Sequence, residues 1–175
     1  MLYRIARQSD VPAMARLRAA NLPSEEAWTA RIASYLAKEH HPRHALHPRV
    51  AYVALNSRAV VGYIAGHLTR RYDCDGELQW INVTPEQRGT GVAAELLRRL
   101  ARWFVKQKAL RVCVDVEPTN AVARRFYKKH GAQTLSDHWL FWPDIGIAIR
   151  KPHTKAQAKK PTAEFRFRSR QEPRS

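Results

Sequence analysis

Apolar and polar residues alternate along several short segments of the chain, which predicts strands. Leu2 to Arg7 has the period of two that a half-buried strand requires, and Leu110 to Val116 repeats it. Residues 49–56 and 60–69 predict two longer strands joined by a short polar turn. These two strands are expected to form a hairpin.

Helical spacing of apolar residues predicts helices between the strands. Asp10, ahead of Val11-Pro12, indicates an N-cap and a helix that runs to about Asn21. Ser24 is predicted to begin a second helix, which ends near Pro42. Both helices precede the predicted hairpin.

A strand, a long helix and a second strand follow one another in the middle of the chain. Residues 77–83 predict the first strand, and residues 90–108 predict an amphipathic helix with one apolar side. That side comprises Val92, Leu96, Leu97, Leu100, Phe104 and Val105, opposite Arg98, Arg99, Arg102 and Lys106. With the strand at 110–116, this order implies a right-handed parallel crossover.

The last predicted elements lie between residues 120 and 149. Asn120 is expected to cap a helix that Gly131 ends. Leu135 to Trp142 is the last clear strand, and Ile145 to Ile149 is a candidate for another. The fold class is therefore α/β in the α+β sense, a twisted and mostly antiparallel mixed sheet with helices on both faces.

Composition restricts the class of protein further. A chain of 175 residues suits one domain with a sizeable core. Cys74 and Cys113 are too few for a disulfide framework or a cysteine zinc site, which favours a reducing, cytoplasmic setting. No apolar run approaches the roughly 18 residues of a membrane span.

The net charge of +16 raises the question of nucleic-acid binding. Residues 151–175 carry eight Lys or Arg and two Glu, so residues 1–150 keep a net +10. The composition of 151–175 predicts a disordered basic tail after a domain at 1–150. A basic surface suits polyanionic coenzyme A as well as RNA, so charge alone does not decide between them.

The segment from Arg88 to Ala93, sequence RGTGVA, lies between a predicted strand and a predicted helix. A helix N-terminus offers unpaired N–H groups and a favourable dipole to an anion. Gly89 and Gly91 allow close approach of the backbone, and Arg88 adds charge. This pattern indicates a pyrophosphate site, although an ordinary turn between strand and helix explains a lone Gly-x-Gly equally well.

Other phosphate and catalytic motifs are absent from the sequence. There is no Gly-x-Gly-x-x-Gly, no P-loop Lys-Ser or Lys-Thr pair, and no Gly-x-Ser-x-Gly elbow. His40, His41, His44 and His47 have a spacing that could share a helical face, but Pro42 and Pro48 interrupt it. A metal site is therefore not expected.

The segment resembles the signature of the GCN5-related N-acetyltransferases. In that signature Arg or Gln is followed by two residues, then Gly, then one residue, and then Gly or Ala. Arg88, Gly91 and Ala93 match it, and the similarity extends over roughly residues 3–147, including Asn120 to Gly131. The resemblance implies that Ile81, Asn82 and Val83 lie along the pantetheine arm of acetyl-CoA. It also implies that amides from Arg88 to Ala93 hold the pyrophosphate, and that Asn120 and Ala123 line the thiol end. The residues of this pyrophosphate segment are Arg88, Gly89, Thr90, Gly91, Val92 and Ala93.

Two residues are candidates for proton transfer. An alkyl amine is mostly protonated at neutral pH, so acyl transfer to it needs a base. Glu77 is the candidate base, at the position that similar enzymes often use, although a solvated carboxylate at a strand end is equally compatible. Tyr127 lies one turn after Ala123 and is the candidate acid for the CoA thiolate, with a half-buried core tyrosine as the alternative.

Acidic residues in a basic chain suggest a positively charged acceptor. Glu25 and Glu26 begin the second helix, while Asp73, Asp75 and Glu77 surround the turn into the fourth strand. In the resembled fold both regions border the acceptor cleft, so a polyamine, an aminoglycoside-like compound or a peptide amine is the expected acceptor. A helix-start acid pair and a polar turn explain the same residues without an acceptor.

The sequence thus predicts transfer of an acetyl group from acetyl-CoA to a primary amine in a ternary complex, without a metal. A CoA-binding domain without catalysis and an RNA-binding protein acting through its tail are the alternatives. Homodimerisation is compatible with the resemblance, and nothing in the sequence fixes it.

Overall fold

The computed structural model describes residues 1–19, 24–39 and 42–150. This part of the chain contains seven strands and four α-helices. In chain order they are β1 (Leu2–Ile5), α1 (Val11–Arg18), α2 (Glu25–Ala37), β2 (Ala45–Asn56), β3 (Ala59–Thr69), β4 (Gly76–Val83), α3 (Val92–Lys106), β5 (Val112–Asp115), α4 (Ala121–Lys129), β6 (Gln133–Thr134) and β7 (Trp139–Trp142).

The described strands form one open seven-stranded sheet in the order β1-β2-β3-β4-β5-β7-β6. All neighbouring pairs are antiparallel except β4 and β5, which run parallel. α3 connects these two strands, so the predicted parallel crossover and the mixed, mostly antiparallel sheet are confirmed.

Two apolar clusters cover the two faces of the sheet. α1 and α2 pack on one face through Met14, Ile32 and Tyr35, all fully buried. α3 packs on the other through Leu96, Leu100 and Phe104, joined by Tyr127 of α4. The predicted apolar side of α3 is confirmed apart from Val105, which is 38 % exposed. The sheet therefore lies between two layers of helices.

Asp10 does not cap α1 as predicted. Its side chain makes no hydrogen bond to the helix. Instead its carboxylate accepts two hydrogen bonds from the Arg4 guanidinium, at 2.7 and 2.8 Å, and one from the Arg7 amide at 2.7 Å. A paired guanidinium is a stronger donor than a helix amide, so Asp10 joins β1 to the turn before α1. Residues 20–23, where α1 was expected to end, lie outside the described residues.

Ser24 caps α2 as predicted, since its hydroxyl accepts from the Ala27 amide at 3.3 Å. Asn120 caps α4 in the same way through the Ala123 amide at 3.1 Å, and Gly131 follows that helix with a φ of 93°. The predicted hairpin of β2 and β3 is confirmed, with β2 beginning at Ala45, four residues earlier than expected.

The end of the domain differs from the prediction in two places. Only residues 139–142 of the strand expected over 135–142 are extended, because the amides of Leu135 and Ser136 turn back to the Trp139 carbonyl. The candidate strand over 145–149 is a 3₁₀ helix, which Asp144 caps by accepting from the Gly146 amide at 2.8 Å. Buried Ile145 joins the core beneath α3, and this packing explains the helical turn.

None of the described helices has both the length and the apolar character needed to cross a membrane. Residues 151–175 lie outside the described residues, so the domain boundary at 150 and the role of the basic tail stay predictions.

Candidate active site

The two parallel strands at the centre of the sheet separate along their length. β4 pairs with β5 at Gly76, Glu77 and Leu78 only, although β4 continues to Val83. On its other side β4 stays paired with β3 as far as Val83. Beyond Leu78 one edge of β4 therefore faces an opening in the sheet, with unpaired backbone groups along it.

A cavity of about 500 Å³ occupies this opening. Its walls come from the diverging strands and from α4, with further residues from the loops above the sheet. The predicted site residues on its walls are Glu77, Ile81, Asn120, Ala123 and Tyr127. The structure thus brings both candidate proton-transfer residues to one cavity.

The loop from Arg88 to Gly91 leads from the end of β4 into α3. Gly89 has a φ of 77° and Gly91 a φ of 93°, the left-handed region that favours glycine. A Cβ atom at either position would meet nothing within 4 Å, so the space in front of both residues is open. The loop therefore presents bare backbone to the surroundings.

Several amides of this loop are free to bind an anion. The first helical hydrogen bond of α3 runs from the Glu95 amide to the Gly91 carbonyl at 3.0 Å. Among the described residues, no acceptor receives the amides at positions 89, 91, 92, 93 and 94. The amides of Arg88 and Thr90 are used within the loop, by the Pro85 and Gln87 carbonyls. The free donors are the amides of Gly89, Gly91, Val92, Ala93 and Ala94. Such a set fits a pyrophosphate.

Residues 81–83 follow the open edge of β4 toward this loop. Ile81 lines the cavity, and Val83 pairs with Gly62 of β3 at the far end of the strand. The Asn82 side chain turns to α1, where its Oδ1 accepts from Arg18 at 3.1 Å and its Nδ2 donates to the Leu17 carbonyl at 3.4 Å. Asn82 therefore fixes α1 against β4, and only its backbone remains for a ligand.

Tyr127 lies where α4 meets the cavity. Its ring is 4 % exposed and packs edge-on against Trp142, with ring centroids 5.7 Å apart. Burial raises the pKa of the Tyr127 phenol, with a smaller opposing effect from Arg18. Since desolvation disfavours the phenolate, the hydroxyl keeps its proton at neutral pH.

Glu77 also lines the cavity and is 6 % exposed. Its Oε2 is 3.3 Å from Arg71 Nε and 3.7 Å from His67 Nε2. A carboxylate this deeply buried requires such partners, because taking an unpaired charge out of water is costly. The structure therefore excludes the solvated strand-end alternative for Glu77.

The acidic residues expected at the acceptor side lie elsewhere, except for Glu77. Asp75 is structural, since its Oδ2 accepts from the amides of Leu110 and Arg111 at 3.1 and 3.0 Å. Glu25 is exposed and lies 3.8 Å from Arg16. Neither of them lines the cavity, and the same holds for Glu26 and Asp73.

Asp115 and Glu117 line the cavity instead, and the sequence reasoning missed both. They lie 3.9 and 4.0 Å from the His138 ring. Partial burial raises the pKa of Asp115, against the opposing effect of His138. The signal for them was present in the sequence, because the carboxyl ends of adjacent parallel strands meet at the same edge of a sheet.

Arg71 and Trp139 were also missed. The Arg71 guanidinium lies 4.6 Å above the Trp139 ring, and its Nη2 donates to the Arg43 carbonyl at 2.9 Å. Both residues line the cavity beside Glu77. Arg71 lies in an irregular turn after β3, so the pattern of apolar and polar residues could not predict that it lies near the site.

The remaining candidates from the sequence are the two cysteines and four of the histidines. Cys74 and Cys113 are buried free thiols that pack with Trp139. Of the four histidines, His40 and His41 lie outside the described residues, while His44 precedes β2 and His47 lies within it. Among the described residues, no group of three or more His, Cys, Asp or Glu could hold a metal ion.

The chain is similar to known acetyltransferases in sequence. The profile of the Acetyltransferase (GNAT) family matches residues 14–132. A Mycobacterium tuberculosis protein named as an uncharacterized N-acetyltransferase is 34 % identical over 120 residues, which cover 69 % of this chain and 70 % of that protein. The family match begins within α1 and includes α2 to α4, and therefore the whole loop between β4 and α3.

Solved structures share the fold. The aminoglycoside antibiotic 6'-N-acetyltransferase of Acinetobacter haemolyticus has a TM-score of 0.65 at 18 % identity, covering 78 % of this chain and 93 % of that one. The PaiA N-acetyltransferase of Thermoplasma acidophilum, solved with coenzyme A, has a TM-score of 0.59 at 16 % identity, with 81 % and 98 % covered. At these identities the likeness concerns the fold alone. Together with the family profile, which spans more than half of the sequence, it shows that this chain belongs to the GNAT family of acetyltransferases.

Proposed function

We propose that the protein transfers an acetyl group from acetyl-CoA to a primary amine, directly and within a ternary complex. One observation carries the proposal: the cavity where β4 and β5 separate has a carboxylate and a phenol on its walls, and β4 leads from it to a loop of free amides. Free amides and a left-handed glycine pair suit the pyrophosphate of CoA. Bound there, acetyl-CoA would supply the activated acyl group.

The residues of this chain account for the proton transfers. The amine must lose a proton before it attacks, and Glu77 is the buried carboxylate on the cavity wall that can take it, directly or through water. The CoA sulfur must gain a proton as it leaves, and the neutral Tyr127 phenol can donate one. Asn120 and Ala123 complete the wall on the α4 side.

An amine screen tests the activity. We expect release of free CoA thiol that depends on the amine, with a product heavier by one acetyl group in the mass spectrum. Tight acetyl-CoA binding with no thiol release from any amine would instead support the CoA-binding domain without catalysis. Mass spectrometry of the purified protein beforehand reveals any acetyl-CoA that it already carries.

The phenylalanine variant of Tyr127 tests the acid. Tyr127→Phe keeps the ring against Trp142 and removes the proton donor, so we expect kcat to fall by about 100-fold, the lower end of what general acid catalysis contributes. Calorimetry should give an unchanged acetyl-CoA affinity. Tyr52→Phe is the matched control, since Tyr52 packs against the same core cluster outside the cavity. Equal turnover of the two variants would rule out Tyr127 as the acid.

We further propose a cationic acceptor, now on different residues from those the sequence suggested. Asp115 and Glu117 carry exposed carboxylates at the cavity, next to buried Glu77. They are able to attract a second ammonium group of a polyamine, an aminoglycoside-like compound or a peptide. Such attraction between exposed charges is weak and screened by salt.

The double variant Asp115→Asn, Glu117→Gln tests the acceptor charge. At low salt we expect KM for a diamine to rise about 3- to 10-fold, since each exposed ion pair contributes at most about 1 kcal/mol, while KM for a monoamine stays unchanged. Glu25→Gln is the control because Glu25 does not line the cavity. If KM for diamine and monoamine changed alike, the acceptor would not be selected by its charge.

A further inference from the structure

A row of buried polar side chains leads from α2 across strands β3 and β4 to the cavity. Tyr35 of α2 and His67 of β3 are both 0 % exposed. The Tyr35 hydroxyl lies 3.2 Å from His67 Nδ1. On the other side of the ring, His67 Nε2 lies 3.7 Å from Glu77 Oε2, and residues 67 and 77 are partners across the two strands. Tyr35 thus contacts the candidate base through one imidazole ring.

The protonation pattern of this row follows from its partners. Burial raises the pKa of the Tyr35 phenol, so its hydroxyl keeps its proton and needs an acceptor. His67 Nδ1 is the acceptor within reach. A neutral imidazole that accepts at Nδ1 carries its proton on Nε2. That N–H then points toward the carboxylate of Glu77.

The opposite tautomer leaves the row unsatisfied. With the proton on Nδ1, the Nε2 lone pair would face the Glu77 carboxylate, and the Tyr35 proton would have no acceptor. His67 Nε2 and Glu77 Oε2 are both buried, and among the described residues neither has another hydrogen-bond partner. Arg71 Nε, 3.3 Å from the same oxygen, is a second buried donor without a hydrogen-bond partner among the described residues, so Glu77 Oε2 has two N–H groups available, and a small approach of His67 from 3.7 Å closes the bond to the imidazole.

Other charged or titratable groups face Glu77 from the elements around it. Arg71 lies on the turn after β3, and Cys113 is the β5 partner of Glu77 across the parallel pair. Asp115 lies two residues further along β5, and Arg49 of β2 lies 4.8 Å above the Tyr35 ring. Arg71 supplies the positive charge, while His67 supplies a neutral N–H on the side away from solvent.

We propose that Tyr35 and His67 are positioning residues for acyl transfer: Tyr35 fixes the His67 tautomer, and the His67 Nε2–H orients the Glu77 carboxylate toward the cavity. This inference rests on the proposed role of Glu77 as the base. Neither residue touches the reacting atoms, and both act through Glu77. The row explains why two polar side chains are fully buried in an otherwise apolar core.

The kinetic test compares two buried tyrosines. Tyr35→Phe removes the donor to His67, whereas Tyr63→Phe removes a hydroxyl that has no hydrogen-bond partner among the described residues, in the same core cluster. In Tyr35→Phe the Nδ1 atom of His67 loses its hydrogen-bond donor, so nothing selects the tautomer that directs Nε2–H at Glu77. We therefore expect kcat for the amine to fall by about 10-fold in Tyr35→Phe with the KM for acetyl-CoA unchanged, and both constants to stay unchanged in Tyr63→Phe. Equal kcat values for the two variants would overturn the proposal.

A second pair of variants concerns the imidazole itself. His67→Gln places an amide N–H near the position of Nε2, whereas His67→Leu removes the donor at similar volume. Glutamine should restore most of the turnover that leucine loses, with the KM for acetyl-CoA unchanged in both. Equal loss in the two variants would show that the ring only fills space.

A spectroscopic measurement on the unmodified protein separates this inference from the proposed function. Nitrogen-15 NMR of protein labelled at histidine, with the His67 signals assigned by their loss in His67→Gln, reports the tautomer without any turnover. We expect neutral His67 with its proton on Nε2, and a proton on Nδ1 would overturn the positioning role. If Glu77→Gln left turnover unchanged while the Nε2–H tautomer was found, the catalytic base would be wrong and the hydrogen-bonded row right.

Discussion

Glu77→Gln should reduce kcat/KM for the amine by about 100- to 1,000-fold, within the range that a positioned general base contributes. Glutamine keeps the shape of the side chain and its place among Arg71, His67 and the cavity, but it cannot accept a proton from the ammonium form of the acceptor. The remaining activity should rise with pH, because at higher pH more of the amine is already neutral. Steady-state rates between about pH 6 and pH 10 measure both effects, the upper limit lying close to the usual pKa of an alkyl ammonium.

Stability has to be controlled in this experiment, since the substitution removes a buried charge. Arg71 keeps two other contacts in the variant, the Arg43 carbonyl and the Trp139 ring, so we expect the protein to stay folded. Acetyl-CoA affinity, measured by calorimetry, should be unchanged. Glu86→Gln serves as the control for charge, because Glu86 is exposed and outside the cavity. A loss of less than about threefold in kcat/KM, well under 1 kcal/mol, would exclude Glu77 as the base.

Gly91→Asp should weaken acetyl-CoA binding far more than Gly91→Asn. Asn and Asp both tolerate the left-handed conformation of Gly91, whose φ is 93°, and a Cβ there meets no neighbour within 4 Å. The two variants therefore share their backbone strain and differ in charge. A negative charge about 6 Å from a phosphate near a protein surface costs about 1.5–3 kcal/mol, which corresponds to about 10- to 100-fold in affinity.

The comparison isolates electrostatics at the helix N-terminus. Raising the salt concentration should narrow the difference between the two variants, because exposed charges are screened. kcat at saturating acetyl-CoA should stay similar in both, as neither substitution reaches the cavity that holds Glu77 and Tyr127. Equal acetyl-CoA affinities for the Asp and Asn variants at low salt would mean that the pyrophosphate lies elsewhere.

Local sequence patterns predicted most of the fold, because each has a local physical cause. The alternation in β2 and β3, the apolar side of α3 and the caps at Ser24 and Asn120 depend on residues within a few positions of one another. Predictions were wrong where a distant partner decided the outcome. Asp10 bonds Arg4 instead of capping α1, and Ile145 joins the core beneath α3 instead of extending the sheet.

The loop from Arg88 to Ala93 was more predictable than the cavity. The glycine loop is a continuous segment, so its free amides could be foreseen from Arg88 to Ala93 without the fold. The use of the Arg88 and Thr90 amides inside the loop could not, because it depends on how residues 85–91 turn. The loop itself stays the strongest signal that the sequence contains.

The surroundings of Glu77 bring together residues from distant segments. His67, Arg71, Asp115 and Trp139 meet around Glu77 because strand register and one irregular turn place them there. The register sets His67 opposite Glu77, and a shift of one residue would turn the ring to the other face of the sheet. Sequence patterns predicted the strands but not this register, and for that reason the row of Tyr35, His67 and Glu77 was not foreseen.

Calorimetric titration of the wild-type protein with acetyl-CoA and with S-acetylpantetheine tests the central claim most directly, because the second compound lacks the pyrophosphate and the nucleotide. If the free amides at the start of α3 bind the pyrophosphate, acetyl-CoA should bind once per chain. S-acetylpantetheine should then bind at least about 30-fold more weakly, a difference of about 2 kcal/mol. Equal affinity for the two compounds, or no binding of acetyl-CoA, would contradict the account.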